Sequence, residues 1–149
     1  MLRRIKAILL VLLVIFIALQ FYQPALNIDK GQVYETDFTK VYIVPKKVGN
    51  LLKTSCYDCH SNNTVYVWYD YIQPVRTLAE SHIKDAKADL NFNEWGTYSK
   101  RKQDRLLSSI KKQIETKQMP LSSYTLMHKN AKLDDEQIAM LSAWFNNQQ

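Results

Sequence analysis

The run Cys56-Tyr57-Asp58-Cys59-His60 limits this chain more than any other stretch. Two thiols with two residues between them, followed at once by an imidazole, form the covalent attachment pattern of a c-type haem. The spacing has a chemical reason. Each sulfur adds across one vinyl group on the same side of a porphyrin, so the two must lie one helical turn apart. The next residue then falls beneath the iron, where His60 supplies a neutral ring nitrogen as proximal ligand. Other uses of a Cys-x-x-Cys pair fit less well. A thioredoxin-like redox pair follows a strand in a βαβ unit, whereas Val48, Leu51 and Leu52 ahead of the motif have helical spacing. A zinc site needs a second pair of ligands at short spacing, and the chain has only 2 cysteines. A disulfide between Cys56 and Cys59 would close a very short loop and leave His60 unexplained.

The first 22 residues indicate where such chemistry takes place. Arg3, Arg4 and Lys6 precede an unbroken apolar run from Ala7 to Leu19, and Gln20-Phe21-Tyr22 closes it. A basic flank followed by an apolar stretch is an export signal whose positive end stays in the cytoplasm. The run is shorter than the usual ~20 residues of a span. Yet no small-x-small cleavage pair follows, and Phe21 and Tyr22 suit a membrane interface. The expectation is a signal anchor over 1–22, retained as a single span in the inner membrane with the domain facing the periplasm. If the segment is cleaved, the domain is simply periplasmic. Bacterial c-type haem is attached on that side, so segment and motif support each other.

Residues 23–44 show no period and are expected to form a spacer and a packing arm, with Phe38, Val41, Tyr42 and Val44 as its apolar contacts. Residues 45–149 form the expected mono-haem domain, and their pattern is helical throughout. Pro45 suits a helix start ahead of Val48, Leu51 and Leu52. Gln73-Pro74 opens a helix carrying Val75, Leu78, Ala79, His82 and Ile83, which Asn91-Phe92-Asn93-Glu94-Trp95-Gly96 ends. Ser99 caps a helix to about Gln118 with the stripe Leu106, Leu107, Ile110 and Ile114. A loop runs to Leu133, and Asp134-Asp135-Glu136-Gln137 starts a last helix that buries Ile138, Leu141, Trp144 and Phe145. The aromatic run Val65–Ile72 is expected to pack, and partly to wall a cofactor. With 3 glycines and 4 prolines in 149 residues and little strand-like alternation, the expected fold class is all-α. Of the formal charge of +6, Arg3, Arg4 and Lys6 contribute three, which leaves +3 for the rest. That is no basic stripe for nucleic acid.

The sixth iron ligand separates electron transfer from ligand chemistry. Met119 leads: it leaves a helix into a loop and is followed by Pro120, which cannot continue the helix. A thioether there raises the potential relative to a second imidazole. His128, in the same loop, and His82, on a helix beside apolar positions, are the rivals. Met127 and Met140 read as packing. The leading expectation is one covalent haem c in an electron carrier, not a catalyst, that meets redox partner proteins. The alternatives are a haem sensor or gas-binding module with a displaceable ligand, and a peroxidase-like enzyme using His82 or His128 as an acid–base group.

Cys-Tyr-Asp-Cys-His-Ser-Asn, Ile-Gln-Pro-Val, His-Ile, Leu-Asn-Phe-Asn-Glu-Trp and Met-Pro-Leu-Ser-Ser-Tyr-Thr-Leu-Met-His, with a terminal helix ending in Trp144, together resemble a known group. From about Phe38 to Trp144 the chain is similar to the bacterial haem-binding domain family of small exported c-type cytochromes. The resemblance implies a compact helical cytochrome c-like domain, with haem on Cys56 and Cys59, His60 as proximal ligand and Met119 as distal ligand, and with His82 and His128 also in matching stretches. Val67, Thr77 and Ala86 depart from the family pattern, which has proline, an aromatic residue and glycine there.

Overall fold

The computed structural model describes residues 1–30, 32 and 34–148. Gly31, within the expected spacer, lies outside the described residues. The regular structure of the described residues is all helical, without strands. In chain order the α-helices are α1 (Leu2–Leu19), α2 (Phe38–Val41), α3 (Lys46–Ser55), α4 (Tyr57–His60), α5 (Val75–Asp89), α6 (Lys100–Glu115), α7 (Ser122–Met127) and α8 (Asp135–Asn146). Short 3-10 helices lie at Trp68–Tyr71, Phe92–Thr97 and Lys129–Ala131.

The termini of these helices follow local chemistry. Ser99 accepts from the Lys102 amide at the start of α6. Asp134 and Gln137 form a reciprocal capping box on α8, with bonds of 2.8 and 3.0 Å. At the far end of α6 the Gln118 amide bonds the Gln113 carbonyl at 2.9 Å and the Lys117 amide bonds that of Ile114 at 3.0 Å. This is a Schellman turn, and Lys117 takes its left-handed position with φ 55°. The turn reverses the chain at Met119, whose amide also reaches the Gln113 carbonyl at 3.2 Å.

The core lies between α6, α8 and the arm. Leu106, Leu107 and Ile114 of α6 pack on Leu141 and Phe145 of α8, with Val48 and Leu52 of α3 and the aromatic residues Phe92 and Trp95. Phe38 is fully buried at the centre, edge-on to Phe92 and Trp95 at centroid distances of 5.2 and 4.8 Å. The stretch expected as spacer and arm thus supplies a central core residue. Gly96 lets it in: its amide bonds the Thr36 carbonyl at 2.7 Å, and a Cβ there would stand 3.2 Å from the Thr36 Cα.

Three expectations need correction. The loop expected between Met119 and Leu133 contains α7 and the 3-10 helix Lys129–Ala131. Pieces of three to six residues are too short to carry a legible period. The stripe on α5 is not a core face, because only Ile83 is buried while Val75, Leu78 and His82 are exposed. Met127, expected to pack, is exposed as well.

Every residue of α1 is exposed, and the helix buries nothing against the domain. No helix among the described residues is long and apolar enough to cross a membrane.

Candidate functional site

The Cys56–His60 motif sits where α3 ends and one further turn, α4, begins. The amides of Cys59 and His60 both bond the Cys56 carbonyl, at 3.2 and 2.9 Å, so the two thiols lie one turn apart as the spacing requires. The residues between the cysteines hold this turn in place. Tyr57 stacks flat on Phe92 at a centroid distance of 4.9 Å, and its hydroxyl donates to the buried Asp37 carboxylate at 3.3 Å. Burial and the facing carboxylate push the Tyr57 phenol well above its ordinary pKa. Asp58 turns the other way and accepts from the Tyr124 hydroxyl at 2.6 Å and the Val65 amide at 3.2 Å.

A buried amide network secures the end of the motif. The Asn62 amide donates to Asn93 Oδ1 at 2.7 Å, Asn91 Nδ2 donates to Asn62 Oδ1 at 2.8 Å, and Asn93 Nδ2 donates to the Asp37 carboxylate at 2.8 Å. The arm, the motif and the turn after α5 are thereby tied together. Sequence reading took Asn91 and Asn93 for a helix break and gave Asp37 and Tyr124 no role. Their signal was an Asn-x-Asn turn whose side chains fold inward, which only the paired segments reveal.

His60 is the most constrained side chain of the site. Its Nδ1 lies 3.1 Å from the Ala86 carbonyl and 3.0 Å from the Leu90 carbonyl at the end of α5. Carbonyl oxygens only accept, so Nδ1 carries the proton and the free lone pair is on Nε2. Burial lowers the His60 pKa, outweighing the opposite pull of the two carbonyls, and the ring is held neutral.

His60 lines a cavity of about 210 Å³ together with Cys56, Cys59, His82, Met119 and Tyr124. A second cavity of about 330 Å³ shares Cys59, His82, Leu121 and Tyr124 with it and continues past Tyr66, Tyr69, Leu78, Met127 and His128. The two form one apolar cleft along the motif. Ser55 Oγ, on the wall of the smaller cavity, is buried and has no hydrogen-bond partner among the described residues.

Cys56 and Cys59 are free thiols. Burial, with the charge of Cys59 beside it, pushes the Cys56 pKa up to about 12. Burial and the carboxylates of Asp58 and Asp70 push Cys59 up to about 11. A disulfide-exchange pair needs a lowered pKa and an accessible thiolate, so this environment disfavours that chemistry.

The candidate distal ligands separate by position. Met119 shares the smaller cavity with His60. His82 is exposed at the border of both cavities, and so is not a core histidine. His128 lines only the larger one; its ring stacks on Tyr124 at 4.1 Å, and its nitrogens lie 3.3 and 3.5 Å from the Tyr69 hydroxyl. Among the described residues no cluster of three or more His, Cys, Asp or Glu side chains is arranged to hold a metal ion by itself.

Over residues 14–147 the chain matches a family model described as a haem-binding domain. No curated protein and no solved structure matches it.

Proposed function

The chain belongs to the haem-binding domain family, and on that premise we propose that it is a membrane-anchored, periplasm-facing carrier of single electrons. In this reading one haem is joined covalently through Cys56 and Cys59, with His60 as proximal and Met119 as distal ligand. That the cofactor is haem follows from the family; its attachment, its ligands and its use are the proposal.

One observation carries it. His60 commits Nδ1 to two carbonyls, which leaves the Nε2 lone pair free, and it lines the cavity that also bears both cysteines and Met119. A backbone carbonyl on the remote nitrogen fixes the ring's orientation and raises its basicity as a ligand. The residues fit the group in other respects too. The cleft is walled by apolar side chains, two protonated thiols stand one turn apart at its edge, and Ser55 offers a hydroxyl with no partner. Bound haem supplies a reversible one-electron iron couple. The chain's own part is to orient His60, exclude water with Tyr66, Tyr69 and Leu78, and present a thioether that favours the reduced state. Met119 as second iron ligand would leave a bound haem no free position for substrate or gas, which favours carriage over catalysis.

The anchoring part rests on α1, a helix apolar all round with its basic residues at the start. A helix of that composition belongs in a core or in lipid. Its 13-residue apolar run reaches ~20 Å, short of a ~30 Å hydrocarbon layer. Snorkelling by Arg3, Arg4 and Lys6 and local thinning of the bilayer make up such a difference.

Intact-mass analysis of protein matured in a host that attaches c-type haem tests the proposal. The expected mass is that of the chain plus one haem; a mass with both thiols free or paired with each other would sink it. The ferric protein should show the weak near-infrared charge-transfer band of a methionine–iron bond, lost in Met119→Ala. A high-spin ferric spectrum with ready binding of cyanide or carbon monoxide would assign the site to ligand chemistry instead.

A further inference from the structure

The junction between α1 and the domain is a clamp. Gln73 is buried, and its amide donates to Gln20 Oε1 at 3.0 Å while its carbonyl accepts from Gln20 Nε2 at 3.4 Å. Its side chain donates to the Tyr22 carbonyl at 2.5 Å and accepts from the Thr77 hydroxyl at 2.8 Å. Three residues on, Arg76 is also buried; Nε donates to the Pro24 carbonyl at 3.1 Å, and Nη2 donates to the same oxygen. Three positions of the connecting chain, Gln20, Tyr22 and Pro24, are therefore pinned to the start of α5. A tether meant to let the domain swing would leave these backbone groups to water.

Beside the clamp lies an exposed aromatic surface. Phe21 and Tyr22, at the end of α1, are 85% and 62% exposed. Trp68 is 73% exposed and Tyr71 49%. They stand three apart on one 3-10 helix, where such positions eclipse and share a face. The Arg76 guanidinium sits 6.0 Å from the centroid of Tyr71, which ties this face to the clamp. Ile72 and Val75 extend it, and Val75 also lines the larger cavity.

We infer that the face formed by Phe21, Tyr22, Trp68, Tyr71, Ile72 and Val75 seats on the lipid interface of the membrane that holds α1. The cleft, whose wall includes Val75, is then held at a fixed height and angle to the bilayer. This rests on the anchoring reading above. The occupant is lipid for two reasons: continuity with α1 brings the face to the level where that helix leaves the bilayer, and aromatic rings with polar tips suit the headgroup layer.

The test uses the full-length haem-loaded protein, labelled with 5-fluorotryptophan, in phospholipid nanodiscs with and without a gadolinium-chelating headgroup lipid. The difference between the two disc types cancels the haem's own effect on the fluorine signals. The chain has 3 tryptophans; Trp68→Phe assigns the Trp68 signal, and fully buried Trp95 is the internal reference. Gadolinium lipid is expected to broaden Trp68 severalfold more than Trp95. Equal broadening, with the protein still in the discs, overturns the seating while the anchor stands. Failure to co-elute with discs overturns both. In Gln73→Ala, the haem spectrum and disc association should persist while the excess broadening of Trp68 falls; unchanged broadening would refute the clamp as its cause.

Discussion

Helices α5 and α6 carry apolar stripes of the same period and meet opposite fates. On α6, Leu106, Leu107 and Ile114 are buried against α8 and the aromatic cluster around Phe38. On α5, Leu78 and Val75 remain exposed and wall a cleft of about 330 Å³. An amphipathic pattern states that a face will leave water; it does not state what will cover it. One face is covered by protein. The other borders an open volume next to Cys59, where the proposed haem would lie.

The strongest way to break that contrast is to remove the attachment points. Cys56→Ala with Cys59→Ala should abolish covalently held haem, read as loss of one haem mass from the intact protein, while the α6–α8 core still folds. If the haem-loaded mass persisted, the cleft would not depend on the motif.

The next test compares one residue type on the two stripes. Leu107→Ala should lower the unfolding free energy by about 2–5 kcal/mol, because a fully buried leucine leaves a cavity. Leu78→Ala should change it by less than about 0.5 kcal/mol in haem-free protein, as exposed substitutions do. Urea unfolding of the two variants decides it, and equal losses would mean that the α5 stripe is core after all.

A smaller effect concerns Tyr124, which lines both cavities. Burial and the bond to Asp58 raise the Tyr124 pKa above its ordinary 10.0. A raised folded value means that the neutral phenol stabilises the fold; this contribution is complete below the unfolded pKa and is lost as pH rises through the folded one. The urea midpoint should therefore fall between pH 9 and pH 11, and fall less in Tyr124→Phe. An identical alkaline decline in both would show that Tyr124 is not responsible.

The smallest effect lies where the closed side hands over to the cleft. Lys117 holds the left-handed position that turns α6 toward Met119. Lys117→Gly should raise stability by less than about 1 kcal/mol, the relief of the backbone being partly cancelled by the added freedom of the unfolded chain. Thermal unfolding would register the rise; a drop would mean that the exposed contact of Lys117 with Asp135 outweighs the relief.

Much of this was legible from residues alone. The starts of α6 and α8 follow from Ser99 and from the Asp134–Gln137 box, because capping is a local exchange of hydrogen bonds. The buried stripes of α6 and α8 follow from period. The motif marks its own turn, since residues three and four apart on a helix share a face, which brings Cys56, Cys59 and His60 together. Less legible were α7, too short to show a period, and the burial of Phe38, which depends on Thr36 passing against Gly96 some sixty residues away in sequence. Tyr124 could not be singled out, because its bond to Asp58 joins segments separated by 66 positions.

The sequence by itself determined that this chain is helical, that two thiols and an imidazole share one turn, and that an apolar basic-flanked helix leads it. These properties depend on neighbours within a few positions, whose relations the covalent chain sets. Only the tertiary structure decided which apolar stripe is closed by protein and which stays open. It also decided which nitrogen of His60 is spent on carbonyls, and that Met119 rather than His128 shares its cavity. Those outcomes turn on the meeting of remote segments, where desolvation and hydrogen-bond partners are assigned by packing.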